Sequence, residues 1–179
     1  MEAGSFALTG VGSLPNVTVA FPGEHWSNRR ASGAITPGVA VVPTASAGKM
    51  YMRTAQSGDA ATQLAIALRP VDHPDTNTGP DALGPNEIRN TDMAEGDYVH
   101  AYYSGAFHLT LVVPASYDPG DLIGWDADGA RPTGKSGTGA WAKNASADID
   151  SIFEVMEWRE INADDNEGIL TVRSLRGQF

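Results

Sequence analysis

With no cysteine in the chain, any nucleophilic or metal chemistry would have to come from His, Asp, Glu, Ser or Lys. Four histidines occur, His25, His73, His100 and His108. None stands at metal-ligand spacing from another His, Glu or Asp on a plausible shared face. His100 and His108 lie four positions either side of Ser104, so a hairpin turning at Ser104-Gly105 would bring them together as a cross-strand polar pair or as two ligands of a metal. Asp126-Ala127-Asp128-Gly129 opens like a calcium loop but lacks the later acidic ligands, and reads as a hairpin turn. Asp72, Asp75 and Asp81, and separately Asp164, Asp165 and Glu167, are acidic clusters in loops and read as solvated faces. Gly129-x4-Gly134-Lys135-Ser136 formally matches a phosphate loop. Such a loop needs a helix after it, and Gly137-Thr138-Gly139 cannot start one. No Gly-x-Ser-x-Gly elbow is present. Four tryptophans, Trp26, Trp125, Trp141 and Trp158, suit either a core or a sugar platform. The expectation is a non-enzymatic protein with no metal and no cofactor.

The elements that must carry these residues are strands. Residues 95–125 organise the chain, with Gly96-Asp97 and Gly120-Asp121 opening and closing the stretch. Glycine frees the backbone at a tight turn, and aspartate hydrogen-bonds the turn's own amides. Val99 and Ala101 alternate after the first pair, and Leu122 and Trp125 follow the second. Short antiparallel strands are expected here, turning at Ala94-Glu95-Gly96, Ser104-Gly105 and Pro119-Gly120 and making half of a small β-barrel or sandwich. Further strands are expected at 39–42, ended by Pro43, then at 49–53, 64–68, 151–161 and 169–175. Residues 130–139 read as loop and 141–150 as a bridge. Residues 70–94 hold four prolines and two glycines and form a long exposed loop.

Residues 1–34 read as an extended N-terminal arm, with Val17 to Phe21 able to pair as an edge strand. Phe6, Leu8, Phe21 and Trp26 are too many large apolar groups for a solvated tail. They either close one end of their own barrel or reach a neighbouring subunit.

At 179 residues one domain is the default, here residues 35–179 after the arm. The net charge is −10, from 22 acids against 12 bases. That balance opposes nucleic-acid binding and docking on anionic membranes, and no apolar run is long enough to span a bilayer. Asp-rich, Lys-poor composition suits a halophilic host or a GC-rich coding bias. An acid at position 2 argues against a signal peptide, so the chain is expected to act where it is made or in a particle assembled there.

The order of Pro37-Gly38-Val39-Ala40-Val41, Leu64-Ala65-Ile66-Ala67-Leu68, Gly96-Asp97-Tyr98-Val99, Leu109-Thr110-Leu111, Pro119-Gly120-Asp121-Leu122 and Phe153-Glu154-Val155 resembles the head decoration (capsid cement) proteins of tailed double-stranded DNA viruses, including those of haloarchaea. The resemblance covers roughly residues 35–175. It implies an all-β, small antiparallel β-barrel or β-tulip with an extended N-terminal arm and long loops. It also implies a homotrimer on the capsid exterior of the virion, made in the host cytoplasm, that binds the major capsid protein and bridges neighbouring copies. The arm residues Phe6, Leu8, Phe21, Trp26, Arg29 and Arg30 are then the expected capsid contacts. Another virion part (turret, head fibre base or tail component) and a carbohydrate- or ligand-binding β-module remain the alternatives.

Overall fold

A computed structural model describes residues 15–23, 25–70, 90–162 and 167–176. Among them the protein is all-β. Eleven strands run in order: β1 (Val17–Pro22), β2 (Trp26–Ala31), β3 (Ala40–Ser46), β4 (Lys49–Thr54), β5 (Ala65–Leu68), β6 (Tyr98–Tyr102), β7 (Gly105–Leu109), β8 (Leu122–Ala130), β9 (Thr138–Lys143), β10 (Ile149–Asn162) and β11 (Glu167–Ser174). Five close into a barrel in the order β2-β4-β3-β5-β6, and six form a sheet in the order β1-β7-β11-β10-β8-β9. Every pairing between named strands is antiparallel except β2 with β4, which meet in parallel at Arg30–Tyr51 and Ala31–Met52. The barrel therefore draws on residues 26–102 alone, and the rest of the described chain builds a second layer against it.

One bent ribbon joins the layers. β1 pairs with β7 in the sheet, and β2 pairs with β6 in the barrel. Both chains of the ribbon cross from one layer to the other at the same place, where the amides of Tyr103 and Ser104 donate to the His25 carbonyl and Ser104 Oγ accepts the His25 amide. Gly105 sits at this bend with φ 124°, and a Cβ there would lie 2.7 Å from the Phe21 carbonyl oxygen, so no other residue fits without displacement. Within residues 1–34, read from sequence as an arm, positions 17–31 are thus two strands woven into both layers. Residues 1–14, with Phe6 and Leu8, lie outside the described residues, as do 71–89 of the expected long loop. The end of that loop returns to the barrel, where Met93 exchanges backbone hydrogen bonds with Ile35.

Three of the turns share one chemistry. At Gln56–Asp59, Ala94–Asp97 and Asp118–Asp121 the aspartate amide donates to the first residue's carbonyl at 3.1 Å, and the carboxylate accepts that residue's amide at 2.8–2.9 Å. The glycine before each aspartate has φ of 88°, 88° and 94°, the left-handed geometry that a type II turn requires at its third position. The two Gly-Asp strand entries read in the sequence are therefore two of three copies of one device.

Three elements differ from expectation. Pro43 does not end β3 but lies inside it, opposite Met52. It is tolerated because pairing of β3 with β5 stops at Val41, so no partner there needs the missing N–H. Asp126 to Gly129 is not a hairpin turn. β8 runs straight through it, with its register against β9 broken between Asp126 and Ala130, and the Asp126 carboxylate accepts the Asp128 amide within the irregularity. Residues 141–150 are not a bridge: they hold the second half of β9, a 3₁₀ turn at Asn144–Ser146 and the start of β10.

The core lies between the layers and inside the barrel as one apolar cluster. Alternation along β6 buries Val99 and Ala101, as read from sequence, and alternation along β10 buries Ile149, Ser151, Phe153 and Val155. Trp125 and Trp141 face each other across β8 and β9 and hold the layers together. Trp125 Nε1 donates to the Ala55 carbonyl at 3.1 Å and Trp141 Nε1 to the Gly38 carbonyl at 2.8 Å, both acceptors belonging to the barrel side. At the far end of the sheet Arg176 donates to the carbonyls of Ala61 and Leu64, a second link of the same kind.

Candidate docking surface

The barrel's outer wall along β2 and β6 is the most distinctive surface among the described residues. Period-two alternation puts Trp26, Asn28 and Arg30 of β2 on one face, opposite Tyr102, His100 and Tyr98 of β6 in direct register. Trp26 is 51% exposed and Tyr98 50%. The Trp26 and Tyr102 rings lie 6.0 Å apart and only 20° from coplanar, with His100 at 5.5 Å from Trp26. Arg30 completes the ladder, its guanidinium 4.5 Å above the Tyr98 ring and donating to the Gly96 carbonyl at 2.6 Å. The result is an aromatic strip fixed by strand pairing, with a cation at one end. Burial pushes the His100 pKa below the ordinary histidine value, so the strip carries a neutral imidazole at neutral pH.

At the bend the strip gives way to a groove of about 380 Å³ beside Phe21, which is 70% exposed. Its floor is Gly105 and Ala106, and its far wall carries Arg173 and Arg176. Arg173 is paired with Glu154 at 2.8 Å and Arg176 with backbone carbonyls, so the wall is rigid.

Of the residues singled out as capsid contacts, Trp26 and Arg30 share the strip, and Phe21 stands across the bend at the groove. Arg29 is exposed too, but alternation turns it to the opposite side of β2. Phe6 and Leu8 lie outside the described residues. Tyr98, His100 and Tyr102 were missed. Their signal was present in Tyr98-Val99-His100-Ala101-Tyr102, whose buried half was read and whose aromatic half was not.

The other constellations come apart. His100 pairs with Asn28 and Leu68 in the barrel, while His108 pairs with Thr18 and Thr171 in the sheet, so the two do not face each other across a hairpin. His108 Nδ1 lies 3.0 Å from Thr171 Oγ1 instead. Among the described residues no group of three or more His, Asp or Glu is placed to hold a metal ion. Gly134-Lys135-Ser136 lies between two antiparallel strands and not between a strand and a helix.

Fold and surface together define a two-layer β-protein with a rigid exposed aromatic face. No protein-family model, no curated protein and no solved structure matches the chain.

Proposed function

We propose that this protein is a non-enzymatic structural component of a virion, a capsid decoration protein that binds the major capsid protein on the outside of an assembled shell. The observation that carries the reading is the Trp26–Tyr102–Tyr98 strip with Arg30. Large aromatic groups and arginine, held rigid and exposed on a strand-paired surface, are the composition of binding hot spots. A cement protein acts by binding the assembled shell and not loose subunits, which calls for rigid apolar anchors and several of them at once. A homotrimer would present three such strips. The chain's net charge of −10 leaves the strip's Arg30 as a local exception, suited to an acidic capsid loop.

Static light scattering on the whole chain tests the assembly. A mass about three times the 18.8 kDa chain supports the reading, and a monomer at both low and molar salt shifts weight to the ligand-binding module. Deleting residues 1–30, most of the expected arm, would remove β1 and nearly all of β2. The informative truncation stops at residue 14, which leaves every described strand intact.

A second reading, a carbohydrate-binding module, is favoured by one feature, the near-coplanar Trp26–Tyr102 pair, on which a sugar ring can stack. Quenching of tryptophan fluorescence by soluble glycans, lost in Trp26→Ala, would select it over the capsid reading.

A further inference from the structure

Lys135 and Asn16 meet across the molecule. Lys135 lies in the loop between β8 and β9 and Asn16 just before β1, and Lys135 Nζ donates to Asn16 Oδ1 at 2.8 Å although 119 positions separate them. Asn16 Cγ is one C=O bond beyond Oδ1, so Nζ stands within about 4 Å of a carbonyl carbon it can attack.

Both side chains are held in place. Asn16 is 5% exposed. Its backbone amide donates to Asn90 Oδ1 at 2.7 Å, and its carbonyl accepts the Thr110 amide at 3.1 Å. Gly38 packs so closely behind it that a Cβ there would lie 2.9 Å from the Asn16 carbonyl oxygen. On the other side, Arg131 donates to the carbonyls of Ser136, Thr138 and Gly139 and pins the loop that carries Lys135. Burial lowers the Lys135 pKa to about 8, with Glu167 pulling it up and Arg131 pushing it further down. About a tenth of the amine is therefore neutral at pH 7. Glu167 is itself buried, at 5% exposure. Lys135 and Glu167 hold other contacts too, and Nζ keeps its bond to Oδ1 alongside them.

We propose that Lys135 and Asn16 form an intramolecular isopeptide bond, a covalent staple between the start of β1 and the β8–β9 loop. It forms in a single turnover on the protein's own side chains. The neutral Nζ attacks Asn16 Cγ, and the new C–N bond forms as the side-chain carbonyl oxygen takes on negative charge. Arg131 lines the same cavity as both residues and supplies positive charge there. The Glu167 carboxylate takes a proton from Nζ and returns it to Nδ2. The Cγ–Nδ2 bond then breaks, ammonia leaves, and Glu167 ends as it began. One amide replaces another, so the step needs no oxidant and no co-reactant. Holding amine and amide in contact replaces a bimolecular encounter with an intramolecular one. In a chain without cysteine, the bond restricts the unfolded state as a disulfide would, by closing a long loop. It also secures β1, an edge strand whose single strand neighbour is β7 and which is otherwise the first element to peel away.

The test is intact-mass spectrometry of the purified full chain, followed by proteolysis. Wild type is expected to be lighter than its sequence by one ammonia and to yield a branched peptide joining Asn16 to Lys135. Lys135→Arg keeps the charge but cannot form the bond, so it should show the full mass and melt at a lower temperature than wild type. Glu167→Gln should also show the full mass while its circular dichroism spectrum stays that of the wild type, which separates proton transfer from a merely structural role. The wild-type mass needs no variant, so misfolding of either substitution cannot hide the answer. Wild type at its full sequence mass after incubation at about pH 8, where Lys135 is half neutral, overturns the proposal. So does ammonia loss without the branched peptide, or a Glu167→Gln chain cross-linked as fully as wild type.

Discussion

Two cross-strand aromatic pairs occupy equivalent positions in their ladders and do opposite things. Trp125 and Trp141 face each other across β8 and β9 with no exposure, and each indole N–H is spent on a barrel carbonyl. Trp26 and Tyr102 face each other across β2 and β6, Trp26 half open to solvent and Tyr102 partly buried. The first pair lies wholly under a second layer of structure, whereas in the second Tyr102 reaches the core edge-on to Phe107 and only Trp26 stays outside. Strand formation asks for aromatic residues at both places. Only the placement of the other layer decides which pair becomes core and which becomes surface. The buried pair is therefore expected to govern stability and the exposed pair binding.

That division can be broken by mutation. Trp141→Ala or Trp125→Ala should cost about 3–5 kcal/mol, the loss for a large buried aromatic, and lower the melting temperature accordingly. Trp141→Phe keeps most of the volume but leaves the Gly38 carbonyl unpaired, for a loss of about 1–3 kcal/mol. At the bend between the layers, Gly105→Ala forces a side chain into φ 124° and against the Phe21 carbonyl. The expected loss is about 1–3 kcal/mol in denaturant unfolding, and the change should also disturb the Phe21 groove. On the outer wall, Trp26→Ala should change stability by only about 0.2–1 kcal/mol, the worth of a cross-strand pair, while removing most of the binding. If Trp26→Ala unfolds the chain as Trp141→Ala does, the contrast fails.

Two smaller effects sharpen the picture. Arg53 holds the Asp59 carboxylate below the usual aspartate range, chiefly through its hydrogen bond. A carboxylate with a depressed folded pKa contributes stability above its unfolded value of about 4 and loses it as pH falls further. Melting temperature should therefore drop more steeply below pH 4 in the wild type than in Asp59→Asn. Ser27 is the smallest case. Its hydroxyl is buried on the inner side of β2 with no partner among the described residues. Removing it in Ser27→Ala should leave stability unchanged or raise it slightly, read as a melting temperature no lower than wild type.

The sequence made some of this legible and hid the rest for physical reasons. The Gly-Asp turns were readable because the device is local: one glycine, one aspartate and three residues between donor and acceptor. Buried Val99 and Ala101 were readable from period-two alternation. Val17 to Phe21 was readable as an edge strand, and β1 is the edge of the six-stranded sheet, but its partner was not, because it lies almost ninety positions away, at Gly105 to Leu109. Glycine and proline around that segment looked like an arm and are instead the hinge of a bent ribbon. Asp126 to Gly129 carried a hairpin's composition, but the strand absorbs it as an irregularity in register. For the candidate surface, Trp26 and Arg30 were found from their types, while Tyr98 and Tyr102 needed knowledge of which strand lies beside β2.

The most direct test of the account is co-sedimentation of the full chain with assembled, undecorated heads of a tailed double-stranded DNA virus. Wild type and Trp26→Ala would be compared at concentrations where both are folded, with Trp141→Phe as the destabilised but surface-intact control. The account predicts that wild type and Trp141→Phe sediment with the heads and that Trp26→Ala, at an unchanged melting temperature, binds at least tenfold more weakly. Wild-type protein left in the supernatant, or Trp26→Ala binding as well as wild type, would contradict it.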